Sequence, residues 1–185
     1  MFTFALGRTW KVKCLTRHHE SEQAIIKYLV AFFISMTEPL RPQFWKNYPL
    51  TELNTQEWEA LCDGCGLCCL IKLEDEELEE VAYTKVACKL LDCTTARCSN
   101  YEQRLNYVPD CIQLTPEKLA TIHWLPASCA YRRIKEGKPL PTWHYLNTGT
   151  RDSVIKAKKS AAGRCISEVD VNEDDIEDYI VRWVR

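Results

Sequence analysis

The chain has 185 residues, of which 46% are hydrophobic and 27% are charged, and its formal net charge is -2. This composition is typical of a globular protein, and the length fits one domain with or without an appendage. No run reaches the roughly 18 to 20 apolar residues of a membrane span, which argues against a membrane protein. The near-neutral charge and the scattered aromatic residues argue against a nucleic-acid partner.

Residues 1–35 differ in composition from the rest of the chain. They hold five Lys or Arg and two Glu, a net charge of +3 that leaves -5 for the remainder. The apolar run Tyr28–Ile34 resembles the core of a signal peptide, but it is short, follows Lys27 and lacks a small-x-small cleavage site. We therefore expect neither a signal nor an anchor. The composition break suggests the hypothesis that Met36 is the true start and that the domain covers residues 36–185.

Capping residues predict a helix that ends at the first candidate metal ligand. Asn54 is a favourable N-cap residue, and Glu57 stands three positions later, which is the spacing of a capping box. This helix would deliver Cys62 at its C-terminal end. Downstream, the acidic run 74–80 is expected to be a solvated surface rather than a carboxylate metal site. The β-branched and aromatic residues of 81–87 predict a short strand.

Three further helices are predicted in the second half of the chain. Thr115 caps the first, with Pro116 at its first position. The second covers residues 128–136, which glycine and proline follow. The third begins after Asn172, where acidic residues fill the first turn and arginines the last. Its helically spaced apolar face would be Ile176, Tyr179, Ile180 and Trp183. The predicted fold is a small α+β domain, mostly helical, organised around a cysteine-rich site.

Eleven cysteines are the most informative feature of the composition. Their odd number and the lack of an export signal favour reduced thiols in the cytoplasm over a disulfide framework. Four of them lie in the segment Cys62–Cys69, in the pattern C-x-x-C-x-x-C-C, where Gly64 and Gly66 accept positive φ readily. Close thiolates repel one another unless a cation lies between them, so the segment predicts a metal or iron-sulfur site rather than inert buried thiols.

The spacing leaves the metal open. Three spaced cysteines with a remote fourth are typical of a ferredoxin-type iron-sulfur cluster, while two C-x-x-C pairs suit tetrahedral zinc. The two alternatives are near even, with a slight preference for iron-sulfur because only one distant sulfur is then needed. Neighbouring side chains tend to point apart, so one of Cys68 and Cys69 is expected to serve a second site or a second face of a polynuclear centre. Eight sulfurs would suffice for two four-cysteine sites.

Further motifs give the chain a resemblance to a known family. The C-x-x-C-x-x-C-C run is followed by Val86-Ala87-Cys88, Cys98-Ser99-Asn100-Tyr101, Pro109-Asp110-Cys111 and Cys129-Ala130-Tyr131-Arg132. With these motifs the chain resembles the YcgN-like bacterial proteins of the CxxCxxCC family, which are described as zinc- or iron-chelating and are otherwise uncharacterised. The resemblance runs from about Phe44 to the C-terminus, and it makes Met36 the natural start. It implies the metal ligands Cys62, Cys65, Cys68, Cys69, Cys88, Cys98, Cys111 and Cys129.

The resemblance leaves three cysteines without a match. Relatives often carry a C-x-C where this chain has Ala96-Arg97-Cys98, so one sulfur is absent here. Either Cys93 replaces it through space or that sulfur is dispensable. Cys14 and Cys165 match nothing and are expected to be incidental.

Polar residues outside the cysteines are weaker candidates. Tyr101, Arg104 and Asp110 lie among the sulfurs in sequence and could orient the ligand loops. A surface salt bridge between Arg104 and Asp110 is the alternative. His123 and His144 are candidate ligands, but a lone His beside Trp is more often a packed or surface residue.

The chain has no phosphate loop, dinucleotide fingerprint or hydrolase motif, so no catalytic residue is assigned and enzymatic activity is not expected. Three functions remain. The leading one is a non-catalytic metal-binding protein with a metal-handling role or an unknown protein partner. The others are an iron-sulfur redox protein or enzyme accessory, and a thiol-based redox sensor.

Overall fold

The computed structural model of the protein describes residues 39–75 and 80–184. The predictions for residues 1–35, for a start at Met36, for Cys14 and for the middle of the acidic run lie outside the described residues. All elements below belong to the unit Leu40–Arg185. Among the described residues, no helix has both the length and the apolar character that crossing a membrane requires.

The helices are short. The α-helices are α1 (Phe44–Asn47), α2 (Thr55–Ala60), α3 (Arg104–Tyr107), α4 (Pro116–Thr121), α5 (Ala130–Lys135), α6 (Tyr145–Thr148) and α7 (Ser153–Lys156). Turns of 3₁₀-helix lie at Leu50–Glu52, Leu67–Cys69, Glu168–Asp170 and Glu173–Tyr179. Within the described ranges no α-helix exceeds six residues. The α+β class is therefore confirmed, while the expectation of a mostly helical domain is wrong.

Two small sheets complete the fold. The larger contains β1 (Leu70–Asp75), β2 (Glu80–Ala87), β5 (Ile166–Ser167) and β6 (Ile180–Val181). β2 pairs with β1 and β6 in antiparallel fashion and with β5 in parallel fashion. The smaller sheet is the antiparallel pair of β3 (Leu91–Asp92) and β4 (Arg97–Cys98). The strand predicted at 81–87 is confirmed, and it is the strand to which the other three strands of the larger sheet pair.

Local capping chemistry sets where two helices begin, as predicted. The Asn54 side chain accepts the Glu57 N–H at 2.9 Å, and the Glu57 carboxylate accepts the Asn54 N–H at 3.2 Å. The same buried carboxylate binds the Arg41 guanidinium at 2.6 Å. At the start of α4, the Thr115 hydroxyl accepts the Lys118 N–H at 3.2 Å. Both caps act within four residues of sequence, which is why sequence alone identifies them.

The two other predicted helices differ from the structure. α5 lies inside the predicted range 128–136 but is shorter, since it begins after the N-cap residue Cys129 and ends at Lys135, two residues before Gly137 with φ 68. The predicted C-terminal α-helix is wrong. Asn172 does cap a helix, but this is the 3₁₀-helix Glu173–Tyr179, and β6 follows it directly. Hydrogen bonding of β6 with β2 replaces the helical bonds that the apolar spacing predicted.

Two hydrophobic cores adjoin the two ends of the cysteine motif. The first is formed by the helices and includes Trp58, Leu61 and Leu125. The second lies at the sheets and includes Leu67 and Leu70. Since the first motif cysteine follows Leu61 and the last precedes Leu70, the motif is the segment that joins the two cores.

Candidate metal centre

Two glycines shape the turns of the cysteine motif. Gly64 and Gly66 have φ 73 and 72, the left-handed conformation that the sequence predicted. A Cβ added at Gly66 would lie 2.9 Å from the Cβ of Ala96, whereas one added at Gly64 would meet nothing within 4 Å. Gly66 therefore lets the turn between β3 and β4 pack directly on the motif.

One cavity collects most of the predicted ligands. It has a volume of about 750 Å³. Six of the eight predicted cysteines line it: Cys62, Cys68, Cys69, Cys88, Cys98 and Cys111. The remaining two, Cys65 and Cys129, lie close enough to the others for their thiolates to interact electrostatically. The structure thus gathers cysteines that are up to 67 residues apart in sequence.

Cys62 and Cys129 lie near each other because their helices are fastened together. Cys62 follows the C-cap of α2, and Cys129 is the N-cap residue of α5. The rings of Trp58 and Tyr131 lie 4.8 Å apart between these helices, and the Tyr131 hydroxyl donates to the Trp58 carbonyl at 2.8 Å. Desolvation by the protein around its thiol, followed by the Cys68 and Cys129 thiolates, raises the pKa of Cys62 to about 12, although the residue keeps an exposed surface.

Cys65 is held through its backbone. Its N–H donates to the Asp63 carboxylate at 3.1 Å. Its carbonyl accepts the Ala161 N–H at 2.8 Å and the Ser160 hydroxyl at 3.1 Å. Burial, followed by the charges on Asp63 and Cys68, raises the pKa of Cys65 well above its ordinary value. A bound cation would relieve this electrostatic cost of ionising the thiol.

Cys68 and Cys69 form a closely coupled pair. Their Sγ atoms are 3.9 Å apart, so the expectation that neighbouring side chains point apart is wrong here. The 3₁₀ turn at the end of the motif brings the two sulfurs together. A hydrogen bond from Cys69, together with the Lys72 charge, lowers the pKa of Cys68 to about 7. The protein around the cavity opposes this shift, although Cys68 itself is exposed to solvent. The same hydrogen bond raises the pKa of Cys69, so Cys68 is the thiol of the pair that ionises first.

Cys88 and Cys98 lie on the sheet side of the cavity, which Cys111 also lines. The Cys88 N–H donates to the Cys69 carbonyl at 2.9 Å, just beyond the end of β2. The pairing of β3 with β4 sets Leu91 opposite Cys98. Burial raises the pKa of Cys88, and charge on the Cys111 and Cys98 thiolates raises it further.

The cysteine side chains suit a metal by their chemistry, whereas their positions in the described structure do not form a metal site. Thiolates are the ligands that zinc and iron-sulfur clusters prefer, and the lowered pKa of Cys68 favours a thiolate there that can bind a cation. Within the described part of the chain, however, no three His, Cys, Asp or Glu side chains converge closely enough to hold a metal ion as they stand. The residues fit zinc or iron by their chemistry, and closing a site requires the sulfurs to draw nearer.

Cys93 lies apart from these sulfurs. Cys93 and Cys165 both pack against the second core, and the Cys93 carbonyl accepts the Gly163 N–H at 2.7 Å. Burial, followed by a hydrogen bond with the Cys93 thiol, raises the pKa of Cys165 to about 12. Neither residue lines the cavity. The two thiols form a separate pair, so the structure does not bring Cys93 to the position of the missing sulfur.

Tyr101, Arg104 and Asp110 all line the cavity, and the alternative, a salt bridge between Arg104 and Asp110, does not form among the described residues. The Arg104 guanidinium instead lies 4.0 Å from the centre of the Tyr101 ring. The Tyr101 hydroxyl donates to the Glu59 carboxylate at 2.7 Å, which links this loop to α2. Their contacts support an orienting role at the rim of the cavity.

The two candidate histidines have other partners. His144 is fully buried, and its Nε2 lies 3.0 Å from the Leu61 carbonyl while its Nδ1 accepts the Leu146 N–H at 3.2 Å. His123 is exposed, and its Nε2 lies 3.1 Å from a carboxylate oxygen of Glu74. Both fit the packed or surface alternative rather than a ligand role.

Two cations beside the sulfurs were missed from sequence. Lys72 Nζ donates to the carbonyls of Cys68 and Leu70 at 2.8 and 2.6 Å. Arg151 donates to the Cys62 carbonyl at 3.4 Å. Lys72 stands four residues after Cys68, so a search for basic residues next to the motif could have found it. Arg151 is 89 residues from Cys62, and only the fold brings it there.

Comparison with known proteins agrees with this cysteine arrangement. The CxxCxxCC family model, described as "Putative zinc- or iron-chelating domain", matches residues 61–130. A UPF0260 protein of Pseudomonas putida is 56% identical over 138 residues, which cover 75% of this chain and 92% of that protein. A UPF0260 protein of Pseudomonas aeruginosa is 54% identical over 138 residues, 75% of this chain and 93% of that protein. No solved structure matches the chain.

Proposed function

The chain belongs to the UPF0260 family, whose CxxCxxCC domain is described as zinc- or iron-chelating, and on that basis we propose that it is a metal-binding protein. The proposed ligands are the thiolates of Cys62, Cys65, Cys68, Cys69, Cys88, Cys98, Cys111 and Cys129. The proposed role is non-catalytic, in the cytoplasm, with a metal-handling task or a protein partner of unknown identity.

The division of the cysteines between the cavity and the rest of the fold is the main support for metal binding. Every cysteine that lines the 750 Å³ cavity is a predicted ligand, while the two described cysteines outside the family motifs, Cys93 and Cys165, pair with each other elsewhere. Incidental thiols would not divide in this way. The position of the motif between the two hydrophobic cores gives metal binding a structural consequence, because ligands from both sides would be tied to one centre.

The position of Lys72 beside the cavity favours negatively charged thiolates there. Lys72 is held by two carbonyls and lies 4.2 Å from the centre of the Trp124 ring, and its charge acts on both Cys68 and Cys69. Burial lowers the pKa of Lys72, whereas the two neighbouring thiolates raise it. Ionised thiolates would therefore favour a charged Lys72.

The proposal includes zinc and an iron-sulfur centre as alternative occupants. Bound zinc would supply structural cross-linking, and an iron-sulfur centre would also allow electron transfer. We retain the slight preference for iron-sulfur, because three spaced cysteines and one remote cysteine match that arrangement. Visible absorbance of an anaerobic preparation, measured together with its zinc and iron content, distinguishes the two.

Thiol labelling tests the ligand set. The folded full-length chain is treated with N-ethylmaleimide under anaerobic conditions, with and without a metal chelator, and labelled cysteines are identified by mass spectrometry. The proposed ligands should be protected until the chelator removes the metal. Cys93 and Cys165 are internal controls, whose labelling should not change. Equal labelling of the eight cysteines with and without chelator, in a chain that stays folded, would overturn the proposal.

A second candidate function, a thiol-based redox sensor, is favoured by the Cys68–Cys69 pair. A sensor needs an exposed thiol of low pKa beside a second thiol. Cys68 is exposed, its pKa is about 7, and the Cys69 sulfur is 3.9 Å away. In a sensor, Cys68 would react with N-ethylmaleimide without chelator. Protection of Cys68 until the chelator is added argues for the metal instead.

A further inference from the structure

We propose that residues 144–161, which contain no proposed ligand, form a clamp that positions the first half of the cysteine motif, Cys62–Cys65, for metal binding. The inference rests on the proposed function and goes beyond it, because the region that the CxxCxxCC model matches ends at residue 130. Five donors of the clamp bind backbone carbonyls in this half of the motif or in the two residues before it. They belong to His144, Tyr145, Arg151, Ser160 and Ala161.

The end of α2, which leads into Cys62, needs donors from elsewhere in the fold. The last carbonyls of a helix have no partner within the helix, and buried ones must find another donor. α2 ends at Ala60, and its C-cap residue Leu61 keeps a right-handed φ of -68, so no left-handed turn closes the helix there. Both residues are buried. Side chains distant in sequence therefore complete this helix end.

Two neighbouring residues of the clamp bind the last carbonyls before the motif. The Tyr145 hydroxyl donates to the Ala60 carbonyl, and Nε2 of the fully buried His144 lies 3.0 Å from the Leu61 carbonyl. Because Nδ1 of the same ring accepts a backbone N–H, Nε2 carries the proton and donates it. These donors stand 85 and 83 residues from their acceptors. The fold thus fixes the chain just before the first ligand.

Arg151 brings the clamp to the first ligand itself. It donates to the Cys62 carbonyl at 3.4 Å, and its guanidinium lies 4.0 Å from the centre of the Tyr145 ring. The contact between guanidinium and ring holds the two donors beside each other. One segment of the chain therefore binds three consecutive carbonyls at the entry to the motif.

The other end of the clamp holds Cys65. The Cys65 carbonyl accepts the Ser160 hydroxyl at 3.1 Å and the Ala161 N–H at 2.8 Å. Ser160 is buried, and its oxygen also accepts the Ala162 N–H at 3.1 Å, which fixes the hydroxyl in place. Cys62 and Cys65 are thus held by their carbonyls at opposite ends of one segment.

The second half of the motif is held differently. The Cys68 carbonyl accepts from Lys72, and the Cys69 carbonyl accepts the Cys88 N–H. These donors lie inside the region that the family model matches. Loss of a clamp donor should therefore affect Cys62 and Cys65 while Cys88 behaves as in the wild type.

N-ethylmaleimide labelling of the metal-free chain tests the clamp. Full-length protein is stripped with EDTA under anaerobic conditions, and the labelling rate of each cysteine is measured by mass spectrometry. Tyr145→Phe removes one donor but keeps the ring beside Arg151, so Cys62 should be labelled about fivefold faster, the factor that corresponds to one lost hydrogen bond. Ser160→Ala should have the same effect on Cys65, and neither variant should change the labelling of Cys88.

Lys135→Met is the matched control. Lys135 donates to the Leu119 and Ala120 carbonyls at 2.8 and 3.2 Å, so the substitution removes comparable bonds from the end of α4, which leads to no proposed ligand. It should leave the labelling of Cys62 and Cys65 unchanged.

Arg151→Met provides a second variant, at an exposed position where folding is not at risk, and it should also speed the labelling of Cys62. Wild-type rates for Cys62 in both Tyr145→Phe and Arg151→Met would overturn the clamp. Equal acceleration of Cys88 would also overturn it, because the variants would then loosen the whole cavity.

Zinc release connects the clamp with metal binding. Zinc is added to the metal-free chain, and its transfer to EDTA is timed. Transfer should be about fivefold faster in Tyr145→Phe than in the wild type and unchanged in Lys135→Met. Faster labelling of Cys62 without faster zinc release would overturn the role of the clamp in the metal centre. Wild-type protein that binds neither zinc nor iron would instead refute the proposed function, so the two failures are distinguishable.

Discussion

Replacing Gly66 by alanine tests how closely the β3–β4 turn packs on the cysteine motif. At Gly66 an added Cβ would lie 2.9 Å from the Ala96 Cβ and 3.3 Å from the Ala96 carbonyl oxygen. A left-handed φ costs a non-glycine residue about 1 kcal/mol, and overpacking at a tight contact adds about 2 kcal/mol. We therefore expect Gly66→Ala to lower the free energy of unfolding by about 3 kcal/mol.

Gly64 provides the matched control for backbone strain. Its φ is 73, but an added Cβ meets nothing within 4 Å. Gly64→Ala should therefore lower the free energy of unfolding by only about 1 kcal/mol. Urea unfolding under reducing, anaerobic conditions at equal metal content measures both losses, provided that the m-value is unchanged. Equal losses in the two variants would refute the close contact.

A double-mutant cycle identifies the partner in that contact. Ala96→Gly removes the methyl group that the new side chain would meet, and Ala96 itself has φ 58, which glycine adopts readily. In the Gly66→Ala background, Ala96→Gly should raise the free energy of unfolding by about 2 kcal/mol more than it does in the wild type. A coupling energy near zero would show that the loss arises elsewhere.

Three other predictions concern the supports of the site. Leu125 is 1% exposed in the first core, and Leu125→Ala should lower the free energy of unfolding in urea by about 2 to 4 kcal/mol. Tyr131→Phe removes the hydroxyl that donates to Trp58 and should cost about 1 kcal/mol in the same assay. Burial lowers the pKa of His144, so the unfolded chain takes up its proton first and stability should fall as pH drops below about 6.5. His144→Gln should remove that part of the pH dependence, and an unchanged slope in this variant would contradict the assignment.

The features predicted correctly from sequence are local ones. The Asn54 and Thr115 caps depend on contacts within four residues, and the strand at 81–87 depends on its own β-branched and aromatic composition. The C-terminal segment was predicted wrongly because its apolar spacing fits a helix, whereas pairing with β2 decides the outcome for Ile180 and Val181. A tertiary partner of this kind is invisible to periodicity.

The candidate site also combines local features that the sequence predicts with tertiary contacts that it does not. The spacing from Cys62 to Cys69 and the family motifs identify the sulfurs, but the 3.9 Å approach of Cys68 and Cys69 depends on a 3₁₀ turn that the spacing does not specify. The separate pairing of Cys93 with Cys165 likewise depends on the loop before β5 returning to the β3–β4 turn, where Gly163 binds the Cys93 carbonyl. Cys93 and Gly163 are 70 residues apart in sequence, and a contact over that distance can be predicted only from the whole fold.

We propose that a metal binds the thiolates between the two cores. Zinc and iron content of the full-length chain, purified without oxygen and compared with the protein concentration, decides whether it does. Folded wild-type protein should contain stoichiometric zinc or iron. Folded protein that contains neither metal, and does not take up either one when it is supplied under reducing conditions, would contradict it.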